Sequence, residues 1–150
     1  MQRMRAALVS FAALLFAGSA AALDYRSIAE TTALYDAPSQ KAKPVFVIAA
    51  GTPVEAIVTL DTWVKIRDRQ GDLAWVERRL LADKRMLQVR AEGAQIRVQA
   101  NDTAEIAFEA APDVLLELLG PDADTPVGWL KVRHRDGQQG FVKVGQVWGF

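Results

Sequence analysis

Residues 63–77 read Trp-Val-Lys-Ile-Arg-Asp-Arg-Gln-Gly-Asp-Leu-Ala-Trp-Val-Glu, and residues 129–143 read Trp-Leu-Lys-Val-Arg-His-Arg-Asp-Gly-Gln-Gln-Gly-Phe-Val-Lys. The two stretches align without a gap at a spacing of 66 residues. Trp63/Trp129, Lys65/Lys131, Arg67/Arg133, Arg69/Arg135, Gly71/Gly137 and Val76/Val142 are identical, and the other apolar positions recur in kind. Agreement of this density does not arise by chance. Downstream of its N-terminal segment the chain is two copies of one unit of about 60 residues.

Each copy reads as β. The runs Val45–Ile48, Val54–Leu60, Val64–Arg67 and Leu73–Val76 in the first unit are rich in β-branched and aromatic residues and are separated by turn residues. Ile96–Val98, Ile106–Phe108, Val114–Leu119, Trp129–Arg133 and Gly140–Val142 do the same in the second. Gln70-Gly71 and Asp136-Gly137 supply the positive-φ residues of tight hairpins. Short strands at this spacing predict a small barrel or sandwich, with at most one short helical turn between Val76 and Met86. Ala82-Asp83-Lys84-Arg85, between the units, contains no Gly, Pro or Ser. A flexible tether is built differently, and units this small bury little surface alone, so the two are expected to pack together.

The N-terminus sets the compartment. Arg3 and Arg5 precede an uncharged apolar stretch, Ala6–Ala17, followed by Gly-Ser-Ala-Ala-Ala. That is the layout of a secretory signal peptide spanning residues 1–22, with cleavage after Ala22. The alternative, an uncleaved anchor, requires an Ala-rich run of marginal length for spanning, so no stable membrane insertion is expected after cleavage. Of the 150 residues, eighteen are basic and eighteen acidic. Two of the basic residues leave with the signal, so the mature chain carries sixteen against eighteen, a formal charge of −2. This balance excludes a general nucleic-acid binder. With one His and no Cys, a structural zinc site, an iron–sulfur cluster, a thiol nucleophile and a disulfide are excluded, and no cofactor or metal is expected.

Ala33-Leu34-Tyr35-Asp36-Ala37 resembles the Ala-Leu-Tyr-Asp-Tyr start of Src-homology-3 (SH3) domains, and the run from Trp63 through Gly71 to Trp75-Val76 resembles their central Trp, distal hairpin and following strand. The chain is thus similar to an exported bacterial SH3-like (SH3b) protein with two tandem domains. The resemblance implies an all-β fold of two small SH3-like β-barrels after the signal peptide, at residues 23–85 and 86–150. It further implies a binding or scaffolding role, with peptidoglycan or peptide ligands. Glu77 and Lys143 stand where family members carry a Pro, and Leu80 and Gln146 where they carry a groove Tyr. Proline-rich peptides, which need stacked aromatics, are therefore not implied.

Alternation in Trp63-Val64-Lys65-Ile66-Arg67 sends Val64 and Ile66 inward and Trp63, Lys65 and Arg67 outward, and the second unit repeats this with Trp129, Lys131 and Arg133. An outward Trp beside cations suits a ligand that is partly apolar and anionic, and the resemblance implies a groove position for Tyr35 that would flank Trp63, with core packing the alternative. The same residues read also, and more simply, as an aromatic cap and a solvated basic face. Trp148 and Phe150 read as last-strand or inter-domain packing, and His134 as a turn residue beside Asp136-Gly137. The two serines of the mature chain, Ser27 and Ser39, lie in no nucleophile-elbow context, and catalysis has no visible machinery. The expectation is a non-enzymatic, periplasmic or secreted module binding cell-wall peptide or glycan. The alternative is a module for another envelope protein, using a sheet edge or the seam between units. A small hydrolase would need His134 and a carboxylate to meet in one cleft.

Overall fold

The computed structural model describes residues 22–120 and 123–150, and apart from two 3-10 turns its regular structure is all β. Except for Ala22, the expected signal peptide lies outside these residues. The first unit contains β1 (Tyr25–Ile28), β2 (Thr32–Tyr35), β3 (Pro44–Ile48), β4 (Pro53–Thr59), β5 (Trp63–Arg67), β6 (Leu73–Glu77) and β7 (Leu81–Ala82). The second contains β8 (Met86–Val89), β9 (Ala94–Arg97), β10 (Ile106–Ala110), β11 (Leu115–Leu118), β12 (Trp129–Arg133), β13 (Gln139–Lys143) and β14 (Val147–Trp148). The strand orders are β3-β2-β6-β5-β4-β1-β7 and β10-β9-β13-β12-β11-β8-β14. One becomes the other by adding seven to each label, so the sequence repeat is a repeat of topology.

Much of the core corresponds between the two units. Val54, Val64, Ile66 and Val76 pack with Ile28 and Leu34 in the first unit, and Leu116, Leu130, Val132 and Val142 with Val89 and Ile96 in the second. Residues 78–80 and 144–146 form the 3-10 turns that carry the chain from β6 to β7 and from β13 to β14. The first matches the single turn expected; its copy had no signal of its own. The distal hairpins differ from expectation in detail. Asp68 N–H donates to Asp72 O and His134 N–H to Gln138 O, closing three-residue loops in which Gly71 and Gly137, each at φ +95°, carry the left-handed position. Gln70 and Asp136 stay at negative φ. β1, β2, β7 and β8 were not among the strand runs read from the sequence; β7 and β8 meet at the junction Ala82–Arg85, which has no turn residue to mark where one strand stops and the next begins.

The units dock. Tyr25 in β1 meets Trp148 in β14 edge-on, with ring centroids 5.2 Å apart, so Trp148 lies in the last strand and packs between the units. Arg85 lies over the Tyr25 ring at 5.8 Å and donates to Gly149 O at 3.1 Å. Arg69 in the first distal hairpin pairs with Asp113 of the second unit.

One difference between the copies is enforced by space. Ala74 in β6 is matched by Gly140 in β13, where an added Cβ would lie 2.5 Å from Ile96 Cγ2 and 2.6 Å from Arg97 O. Backbone cannot yield as a flexible side chain does, so β9 and β13 approach more closely than β2 and β6. Gly140→Ala, which writes the first unit's residue into the second, is expected to cost about 1–3 kcal/mol in urea unfolding. An unchanged midpoint contradicts this packing.

Candidate functional site

Register sets the outer surface of the first unit. Lys65 lies opposite Trp75, and Trp75 opposite Tyr35, so these side chains share one side of the sheet. Trp63 is on the same side, half-buried, and meets the Tyr35 ring edge-on with centroids 5.6 Å apart and planes at 90°. Trp63 also borders a shallow cleft with Pro38, Gln40, Thr62 and Glu77. Gln40 Nε2 and Arg79 Nε each donate to the Glu77 carboxylate at 2.7 Å, and these bonds, Gln40's first, hold that carboxyl below its ordinary value. The surface therefore offers an aromatic corner, a fixed carboxylate and the Lys65 ammonium, which has no partner among the described residues.

Arg67 is committed elsewhere. Its Nε donates at 2.9 Å to Glu55 Oε2, its Nη2 donates to the same oxygen, and Glu55 is only 6 % exposed. Glu55 stands directly opposite Arg67 across the β4–β5 ladder. The second unit repeats the pair: Arg133 Nε and Nη2 donate to Glu117 Oε2 at 3.2 and 2.9 Å. Those bonds, with Lys84 Nζ 3.5 Å away, hold the Glu117 carboxyl below its ordinary value.

Around Trp129 the surroundings change. Arg97 occupies the position of Tyr35, opposite Phe141, and donates to Ala104 O and Gln95 Oε1. Trp129 instead has Lys143 over its ring at 5.7 Å, and Lys143 is paired with Asp102. Lys131, the counterpart of Lys65, is itself engaged. The structure thus brings Tyr35, Trp63 and Lys65 onto one surface, ties Arg67 and Arg133 to carboxylates, and leaves Trp129, among the described residues, without an aromatic neighbour of the Tyr35 kind.

The sequence profile of the bacterial SH3 domain matches residues 29–83 and 90–149. The chain belongs to the bacterial SH3 domain family. Its two SH3 units account for both matched segments. No curated protein matches the chain. Among solved structures it is similar to NlpC2 from Trichomonas vaginalis, at 10 % identity and TM-score 0.37, covering 84 % of this chain and 48 % of that one. It is also similar to NlpC1 from the same organism, at 14 % and 0.38, covering 92 % and 50 %. An NlpC/P60 family protein from Bacillus cereus ATCC 10987 is similar at 14 % and 0.36, covering 83 % and 56 %. The chain spans about half the length of these proteins.

Glu55 and Glu117 were missed in the sequence because a lone acidic residue in a strand has no local signature. Their signal was positional: each stands eight residues before the Trp in one unit and twelve in the other, so the gapless repeat never reached them. His134 does sit at its hairpin: its Nδ1 is 3.0 Å from Asp136 Oδ1. Bonds from the Gln138 backbone and side chain, and then from His134, hold the Asp136 carboxyl down to about 2. Ser27 donates to Lys84 O at 2.7 Å and Ser39 accepts from Lys41 N–H at 3.1 Å, both structural roles.

The two SH3 units should differ in how they tolerate loss of the strand arginine. Arg67→Met strands a buried carboxylate and is expected to cost about 1–3 kcal/mol in urea unfolding. Arg133→Met should cost clearly less, because the Glu117 side chain is 25 % exposed and keeps Lys84. Equal costs would contradict the difference in burial.

Proposed function

We propose that this protein is a non-catalytic binding module of the bacterial cell envelope, exported by residues 1–22, and that it recognises cell-wall peptide or glycan. The observation that carries this reading is the Tyr35–Trp63 pair, set at right angles beside a shallow cleft and a Lys65 with no partner among the described residues. A ring face at the edge of a groove stacks on a sugar or an apolar side chain, while an ammonium beside it meets a carboxylate. Trp129, Lys131 and Arg133 form the corresponding surface of the second unit, with Lys143 in place of the aromatic neighbour. Arg67 and Arg133 serve this surface chiefly by holding β4 to β5 and β11 to β12. The proposal includes neither cofactor nor metal nor nucleic acid.

A second reading has its own observation. β3 pairs with β2 alone, and along it Phe46 is 47 % and Val47 77 % exposed. An apolar edge of this kind adds a strand from another envelope protein. Among the described residues no helix is long and apolar enough to cross a membrane.

Co-sedimentation with isolated peptidoglycan sacculi separates the readings. Wild type should pellet, Trp63→Ala should lose about tenfold or more in apparent affinity while still folded, and Trp129→Ala alone should lose much less. If wild type stays in the supernatant, the wall is not the ligand and the β3 edge becomes the surface to pursue.

A further inference from the structure

Where the two barrels meet they leave a cleft of about 460 Å³, inside the range of roughly 300–1,000 Å³ typical of small-molecule sites. Ala50 and Gly51 of the first unit form one wall, and Met86, Val114 and Leu115 of the second form an apolar floor. The charged rim is lopsided. Lys84, Arg133 and Arg135 face two carboxylates, Asp113 and Glu117. Asp113 is already taken by Arg69 from across the seam and by Gln88 Nε2 at 3.1 Å. Glu117 alone answers both Arg133 and Lys84. Arg135 has no hydrogen-bond or ion-pair partner among the described residues.

The backbone around the cleft is held in an unusual state. Asp113 has φ +67°, the one non-glycine with positive φ among the described residues. Its counterpart is Gly51, at φ +81°: Gly51 N–H donates to Ile28 O as Asp113 N–H donates to Val89 O. The first unit thus uses glycine where the second uses an acid whose side chain spans the seam. Left-handed non-glycine residues are tolerated when their surroundings hold them, and they concentrate at functional sites. Asp113 acts as a strut that fixes the cleft wall, leaving the excess positive charge for an incoming group.

From this we infer that the inter-barrel cleft is a binding site for the carboxyl-terminal end of a short peptide with a small apolar last residue. The terminal carboxylate meets Arg135 and Lys84, and the apolar side chain lies on Met86 and Leu115. The cleft brings His134 together with Asp113 and Glu117, the arrangement a hydrolase would need in part. No Ser, Thr, Cys or Tyr lines it, so binding rather than covalent catalysis fits its chemistry. This site is separate from the Trp63 surface and does not depend on it.

The test titrates residues 23–150, which contain both cores whole, with N-acetyl-Ala-Ala as free acid and as C-terminal amide, following backbone amide shifts by NMR. The free acid should shift Gly51, Leu115 and Arg135 saturably, and the amide should bind at least tenfold more weakly. Arg135→Glu, a change at an exposed side chain, should weaken the free acid at least tenfold, whereas Trp63→Ala should leave it unchanged. Repeating the titration with a D-Ala terminus identifies the source. Preference for D assigns wall peptides, and preference for L assigns protein tails; both uphold the site. Equal binding of acid and amide, shifts confined to Tyr35 and Trp63, or no saturable shifts would overturn it.

Discussion

The contact between the first strand of one barrel and the last strand of the other sets the rest of the molecule. Tyr25 and Trp148 meet edge-on, Arg85 covers the Tyr25 ring, and the same guanidinium ties down Gly149. Burial, followed by the neighbouring Glu55, pushes the Tyr25 hydroxyl up from its ordinary value. Gly149, at φ +113°, approaches so closely that a Cβ there would lie 2.9 Å from Pro53 Cβ and from Met86 O. Two small barrels with modest cores gain from sharing this seam, because surface that neither could bury alone is removed from water. The junction Ala82–Arg85 is too short and too structured to act as a tether: Asp83 pairs with Arg26, Lys84 with Glu117, and Arg85 is built into the seam.

How much of this was legible depended on whether the determining residues were neighbours in sequence. Val64 and Ile66 alternate with Trp63, Lys65 and Arg67, and period two is a local property, so β5 and β12 could be read with their inner and outer sides. The Tyr35–Trp63 meeting was legible through the family resemblance. The glutamates were not legible, because which residue stands opposite Arg67 is decided by ladder register. The repeat spacing also hid them. Core residues Ile28/Val89, Val54/Leu116 and Ile66/Val132 recur at 61, 62 and 66 residues, since the loop between β11 and β12 is longer than that between β4 and β5. The cleft was least legible of all: Gly51, Met86, Leu115 and Arg135 come together only when the barrels dock.

The two copies differ in what their outer surfaces carry. The first has the aromatic corner, Tyr35 and Trp63, beside Lys65, which has no partner among the described residues. The second carries Arg97 where the first has Tyr35 and Gly140 where the first has Ala74, and it contributes most of the seam cleft. Asp113 and Gly51 show the same divergence at one backbone position: the glycine relieves strain, and the acid accepts it in exchange for a bridge to Arg69. A duplicated scaffold is thereby turned into one body with two unlike surfaces.

Docked in this way, the barrels move as one body. Backbone residual dipolar couplings measured on the two units in a single alignment medium test it directly. A shared alignment tensor, with magnitude and orientation agreeing between residues 25–82 and 86–148, is the result this account predicts. Two tensors of different magnitude or orientation would mean that the seam opens in solution, and the cleft would then not persist as a site.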